Sequence, residues 1–204
     1  MAAEEKLTEI PRGKNGFLGF PINTDLNNID AHIAVLGVPY GLPYTPDELS
    51  NDQSRTPDLL RENAQDAGWS KSRTIKHFDW DLGGQILDNR NVRVVDCGNV
   101  TADFKNPREH YRRAEVCAKK IFQSGAVLIA IGGDHGIPIP IMRAFPTHEP
   151  ITLIKIDSHL DWPDTVNGEK EGYSSEIRRA SELPFIKDIF QIGSGVLEAV
   201  EKRK

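Results

Sequence analysis

Three metal-capable side chains stand at alternate positions in Asp157-Ser158-His159-Leu160-Asp161, directly after the apolar, β-branched run Ile151-Thr-Leu-Ile-Lys-Ile156. A run without clean polar alternation reads as a buried parallel strand. In open α/β sheets, ligands sit just beyond the carboxyl ends of such strands. A second run, Ala126 to Ile131, feeds Gly132-Gly133-Asp134-His135-Gly136. The two segments lie one β-α unit apart, and consecutive strands in a parallel sheet are often neighbours. The spacing therefore predicts two imidazoles and at least two carboxylates converging on one crevice. Two His nitrogens with Asp oxygens suit Mn2+, Ni2+, Zn2+ or Fe2+ and suit Ca2+ poorly. The glycines before Asp134 let the backbone turn tightly and approach the site. A phosphate cradle at Gly132-Gly133 would need the Lys and Ser/Thr of a P-loop, which are missing. His32, His77, His110 and His148 belong to no such constellation and read as packed or solvated side chains.

The elements that must hold these residues alternate. Residues 1–30 are polar and punctuated by Gly and Pro, an irregular N-terminal arm; 31–204 read as one α/β domain. His32 to Pro39 is the first strand, ended by Pro39-Tyr40-Gly41. A long polar loop, Leu42 to Arg55, leads into a helix with Thr56 as N-cap and Pro57 at its first position. The Asp79-Trp80-Asp81 pair, within an irregular segment over 68–91, reads as a loop turn or a solvated pair. Arg93 to Gly98 is the second strand. Pro107 to Ser124 is a helix whose apolar face comprises Tyr111, Ala114, Cys117, Ala118, Ile121 and Phe122, stopped by Gly125. After the third strand come a helix over 138–145 and the strand before Asp157, then a helix over 173–183 and a fifth strand, 186–193. Such alternation implies a three-layer α-β-α fold with a mostly parallel sheet.

The 204 residues suffice for one such domain. A net charge of -5 argues against non-specific nucleic-acid binding, which needs a basic surface. No apolar run approaches the ~20 residues of a membrane span. Cys97 and Cys117 form no CxxC pair and read as buried thiols in a reducing compartment. With a polar, acidic start and no secretory h-region, the expected location is the cytoplasm.

Gly132-Gly-Asp-His135 and Asp157-x-His159-x-Asp161 together resemble the first two metal motifs of the arginase/agmatinase (ureohydrolase) family. His32-Ile-Ala-Val-Leu-Gly-Val-Pro-Tyr40 resembles the family's first strand, Arg55-Thr-Pro-Asp-Leu-Leu-Arg61 its next helix, and Val94-Val-Asp-Cys-Gly-Asn99 its Asp-x-Gly segment. Asn167 to Ala180 resembles the substrate loop and helix of agmatinase-like members. The resemblance implies an arginase-like fold and a dinuclear hydrolase that cleaves an agmatine-like guanidino compound to urea and an amine by metal-bound hydroxide. Two Mn2+ are the implied cofactor, Ni2+ in some guanidine-hydrolysing relatives. His135 and Asp161 would bind one ion and His159 the other, with Asp157 bridging as the central catalytic carboxylate. Asn167, Glu171 and Ser174 would face the substrate, Glu171 also carrying protons. A trimer or hexamer, and a place in polyamine metabolism, are family expectations. Chemically, guanidinium is a poor electrophile, and paired metals supply both a nucleophile near neutral pH and charge stabilisation.

The chain departs from the family pattern in four places. Gly136 stands where most members carry Ser, Ser158 where most carry Ala, and Glu171 near a common His. The third family motif, Ser-x-Asp-x-Asp-x-x-Asp-Pro, has no counterpart after Gly193. The expectation is accordingly a fold incomplete at its C-terminus, with a long apolar sheet edge exposed. One ion would keep His135, Asp157 and Asp161; the other would keep only Asp157 and His159. The alternative expectation is a truncated, non-catalytic member or subunit.

Overall fold

Ile33–Val38 (β2) is the central strand because its side chains are apolar or absent on both faces, and five of its six residues are buried. The computed structural model, in which this was seen, describes residues 6–50, 52–66, 77–85, 90–147 and 149–195. Strand β2 pairs in parallel with Val94–Val100 (β5) on one side and Val127–Gly132 (β6) on the other. Thr8–Glu9 (β1), from the N-terminal segment, adds an antiparallel edge to β5. Ile151–Ile156 (β7) and Ile186–Ile192 (β8) form a separate parallel pair, and Phe78–Asp79 (β3) and Gly84–Gln85 (β4) a short hairpin. In that hairpin the Asp79 carboxylate accepts the N–H groups of Asp81 and Leu82, so the Asp-x-Asp pair is a turn.

The α-helices among the described residues are Thr56–Asp66 (α1), Pro107–Gln123 (α2), Pro138–Arg143 (α3) and Glu176–Ala180 (α4). Helix α2 starts on Asn106, whose side chain accepts the Glu109 N–H, and Gly125, at φ 82, turns the chain away in the left-handed region after its end. Its apolar face buries Tyr111, Ala114, Cys117, Ala118 and Ile121; Ala114, Cys117 and Ile121 join Leu36, Val95 and Cys97 of the sheet in one core cluster, and Tyr111 packs with Leu42 and Ile139. Phe122 lies at the margin with its ring against Phe145. Ile121→Ala is expected to cost about 2–5 kcal/mol, read as a lower urea midpoint at unchanged slope. Helix α4 is shorter than the 173–183 pattern suggested. Tyr44 holds the preceding turn, its hydroxyl accepting the Ser174 N–H and its ring packing on Tyr173.

Two expectations fail here. The motif-bearing strands β6 and β7 are not hydrogen-bonded neighbours: β6 pairs only with β2 and β7 only with β8 among the described residues. Nor are they buried on both faces. Val127 and Ile129 of β6 and Ile154 and Ile156 of β7 are exposed, Ile156 at 80%. Nothing among the described residues covers that side, so an apolar run composed for burial stays open to solvent. No helix among those residues is long and apolar enough to cross a membrane.

Candidate metal centre

The turn after β6 is built by close approach. A Cβ on Gly133 would lie 2.3 Å from the Pro39 carbonyl oxygen, so the position demands glycine. The Asp134 carboxylate accepts the N–H groups of Gly41 (2.6 Å) and Gly136 (2.8 Å), tying this turn to the loop after β2. Burial holds its carboxyl above the ordinary value despite these bonds. Asp134 thus positions His135 and is not itself part of the cluster.

His135 reaches across to the end of β7 although the two strands do not pair. Its Nδ1 lies 3.1 Å from Asp157 Oδ2 and 3.0 Å from Asp161 Oδ2. Ligand atoms of His135, Asp157 and Asp161 all fall within 4.8 Å of one another. Asp161 adopts φ 48, a left-handed conformation that Asp tolerates better than most residues and that turns its carboxylate back beside Asp157. The Asp157 carboxylate stands between the two imidazoles. Its Oδ2 faces His135, while its Oδ1 accepts the His159 N–H (2.9 Å) and lies 3.3 Å from His159 Nδ1. His159 is 64% exposed at its side chain and stays outside the three-residue group.

Two further residues complete the centre, and neither was among the expected ligands. Lys155 lies on the covered face of β7, its Nζ 2.5 Å from Asp161 Oδ2, 2.9 Å from Glu176 Oε1 and 3.3 Å from Asp157 Oδ2. Glu176, in the first turn of α4, also comes within 3.5 Å of His135 Nε2. Its contact with Lys155 is an ion pair whose angles miss hydrogen-bond geometry, leaving Oε1 without a well-aligned donor. A sequence signal for Lys155 existed: a lone cation inside an apolar strand has to find carboxylates. Glu176 offered none beyond its place in a helix.

Protonation follows the crowding of charge. The Asp161 carboxylate beside Nδ1 raises His135 above its ordinary 6.5 against the opposing effect of burial, and Glu176 adds to the rise. The His159 backbone N–H, then Lys155, lowers Asp157 to about 2. Burial works against ionised Asp161, but His135 and Lys155 outweigh it and hold its carboxyl low. Glu176 is raised by burial, with the nearby Asp161 charge adding to the rise, and Lys155 and His135 offset this only in part.

The loop expected to face substrate is held by contacts of its own. Glu171 pairs with Arg143 (2.7 Å) and lies 3.8 Å from Arg108. Asn167 and Gly168, both at positive φ, form the tip of a tight turn closed between Val166 and Glu169. Ser174 meets Tyr44 through its backbone. The donor set of one imidazole and two carboxylates, with an under-bonded carboxylate oxygen beside it, fits a divalent transition ion.

Residues 31–203 match the arginase family. The agmatinase of Photorhabdus laumondii subsp. laumondii is 30% identical over 147 residues, 72% of this chain and 44% of that protein. The structure of proclavaminate amidino hydrolase from Streptomyces clavuligerus superposes with a TM-score of 0.71 at 20% identity, covering 98% of this chain and 61% of that one. Trypanosoma cruzi formiminoglutamase, solved with Mn2+, gives 0.58 at 20% identity, over 79% of this chain and 52% of that one. The chain spans about half the length of the curated relatives it matches. These likenesses give it the α/β fold of arginases, and the chain belongs to the arginase family, with agmatinases among its relatives in sequence.

Proposed function

We propose that this chain carries the metal-binding core of an agmatinase-type amidinohydrolase, which cleaves a small guanidino compound to urea and an amine. The observation that carries the reading is the Asp157 carboxylate, whose two oxygens face two different imidazoles, His135 and His159. That arrangement suits a carboxylate shared between two ions. His135, Asp157 and Asp161 would hold the first, and His159 with Asp157 would contribute to the second. Mn2+ is the favoured ion, and Ni2+ suits the same donors. When bound, such ions supply Lewis acidity and lower the pKa of water toward neutrality. Asp157 and Asp161 are ionised and ready as ligands. Asn167, Glu171 and Ser174 are the proposed substrate-side residues; Arg143 and Arg108 neutralise Glu171, so its first effect is to fix the loop. The cytoplasm, where buried Cys97 and Cys117 would stay reduced, is the proposed location.

The test loads the chain with Mn2+ or Ni2+, counts ions per chain, and assays urea from agmatine, guanidinobutyrate and guanidine. Bound metal with metal-dependent urea is expected; loaded protein releasing no urea from any of the three would overturn the reading. The pH dependence of binding is a sharper prediction. His135 must be neutral to donate its lone pair, yet its raised pKa keeps it protonated to above 6.5 in the metal-free protein. Apparent Mn2+ affinity should therefore fall as pH drops through that raised value, by about tenfold per unit, with proton uptake on metal release. Calorimetry in two buffers of different ionisation enthalpy measures both quantities. Affinity independent of pH between about 5.5 and 8 would remove His135 from the ligand set.

A further inference from the structure

Lys155 is accounted for by neither metal motif. It sits two residues before Asp157 on the covered face of β7, 6% exposed. Its Nζ contacts Asp161 Oδ2 and Asp157 Oδ2, the same two oxygens that His135 Nδ1 approaches. A metal ion held by His135, Asp157 and Asp161 would share those oxygens with an ammonium a few ångström away, in a partly buried setting where screening is weak. The two cations cannot both keep them at full strength. Glu176 offers the ammonium another partner: its Oε1 is 2.9 Å from Nζ, buried, and short of an aligned donor.

We infer that Lys155 is a resident counter-cation that competes with metal for this centre. In the metal-free protein it holds the converging carboxylates together. A divalent ion binds by displacing the ammonium from Asp157 and Asp161 onto Glu176, so Lys155 sets the metal affinity lower than the ligands alone would give. The inference rests on the metal-centre reading above, and the test separates the two.

Mn2+ alone is titrated calorimetrically into the full chain carrying Lys155, Lys155→Met, Lys155→Gln or Lys155→Arg, with thermal unfolding recorded beside each titration. Removing the charge should tighten Mn2+ binding by at least ~10-fold in the Met and Gln variants, while Arg, which keeps the charge, stays near wild type. Metal-free Met and Gln variants should melt lower than wild type, and their melting points should rise more on adding Mn2+. If Lys155→Met does not fold, Lys155→Gln decides the matter. Wild-type binding with equal or weaker binding by the charge-free variants would overturn the role of Lys155 and leave the metal centre standing. No binding by any form would overturn both.

Discussion

Arg61→Ala is expected to lower stability by about 3–5 kcal/mol, a large fraction of what a domain of this size has. Arg61 and Asp96 are both fully buried, joining α1 to the strand beside the centre of the sheet. The guanidinium meets the carboxylate with two bonds, Nε to Oδ2 at 2.7 Å and Nη2 to Oδ1 at 2.9 Å. Its Nη1 also donates to Asn99 Oδ1 (2.7 Å) and to the Pro57 carbonyl (3.1 Å). Truncation removes these partners and leaves the Asp96 charge in the interior, supported among the described residues by the N–H groups of Phe17 and Gly98. The penalty belongs to the stranded charge more than to the lost contact. Pairing Arg61→Met with Asp96→Asn, which keeps an acceptor for those N–H groups, should recover part of the loss. Urea unfolding of the three variants measures it. A single-variant cost below about 1 kcal/mol would mean that water reaches Asp96.

Asp157→Ala should abolish metal binding while leaving the fold in place. Asp157 lies at the strand end, and its carboxylate is the one group shared by both imidazoles. Losing a direct ligand should weaken Mn2+ by more than the ~10–100-fold typical of an outer partner. His159→Ala provides the contrast, because His159 stands outside the His135–Asp157–Asp161 group. It should spare the first ion and affect only binding beyond one per chain. Titration with Mn2+, alongside circular dichroism to check the fold, separates these outcomes. Wild-type affinity in Asp157→Ala would sink the ligand assignment.

Much of this architecture was legible in the residues. Short apolar runs ending in Gly or Asp mark β2, β5, β6, β7 and β8. The repeat from Tyr111 to Ile121 marks α2, since the helical period is a local property of the chain. The placement of two motifs at strand ends carried the convergence of His135 with Asp157 and Asp161. The expected mechanism of that convergence was wrong, because β6 and β7 do not pair.

By itself, then, the sequence determined which segments are strands and helices, which side chains are chemically fit to hold a divalent ion, and the family to which those motifs point. Tertiary structure alone decided which edges meet, and so left β6 and β7 in separate sheets with Ile129, Ile154 and Ile156 exposed. It also decided that Asp96 pairs with Arg61 in the interior, that His159 lies outside the tight group, and that Lys155 and Glu176 enter the centre. The physical reason is shared by the strand edges and by the Arg61–Asp96 and Lys155–Glu176 pairs. Periodicity and turn chemistry act within a few residues, whereas the partner of a strand edge or a buried charge is set by groups tens of residues away, brought near only once the chain has packed.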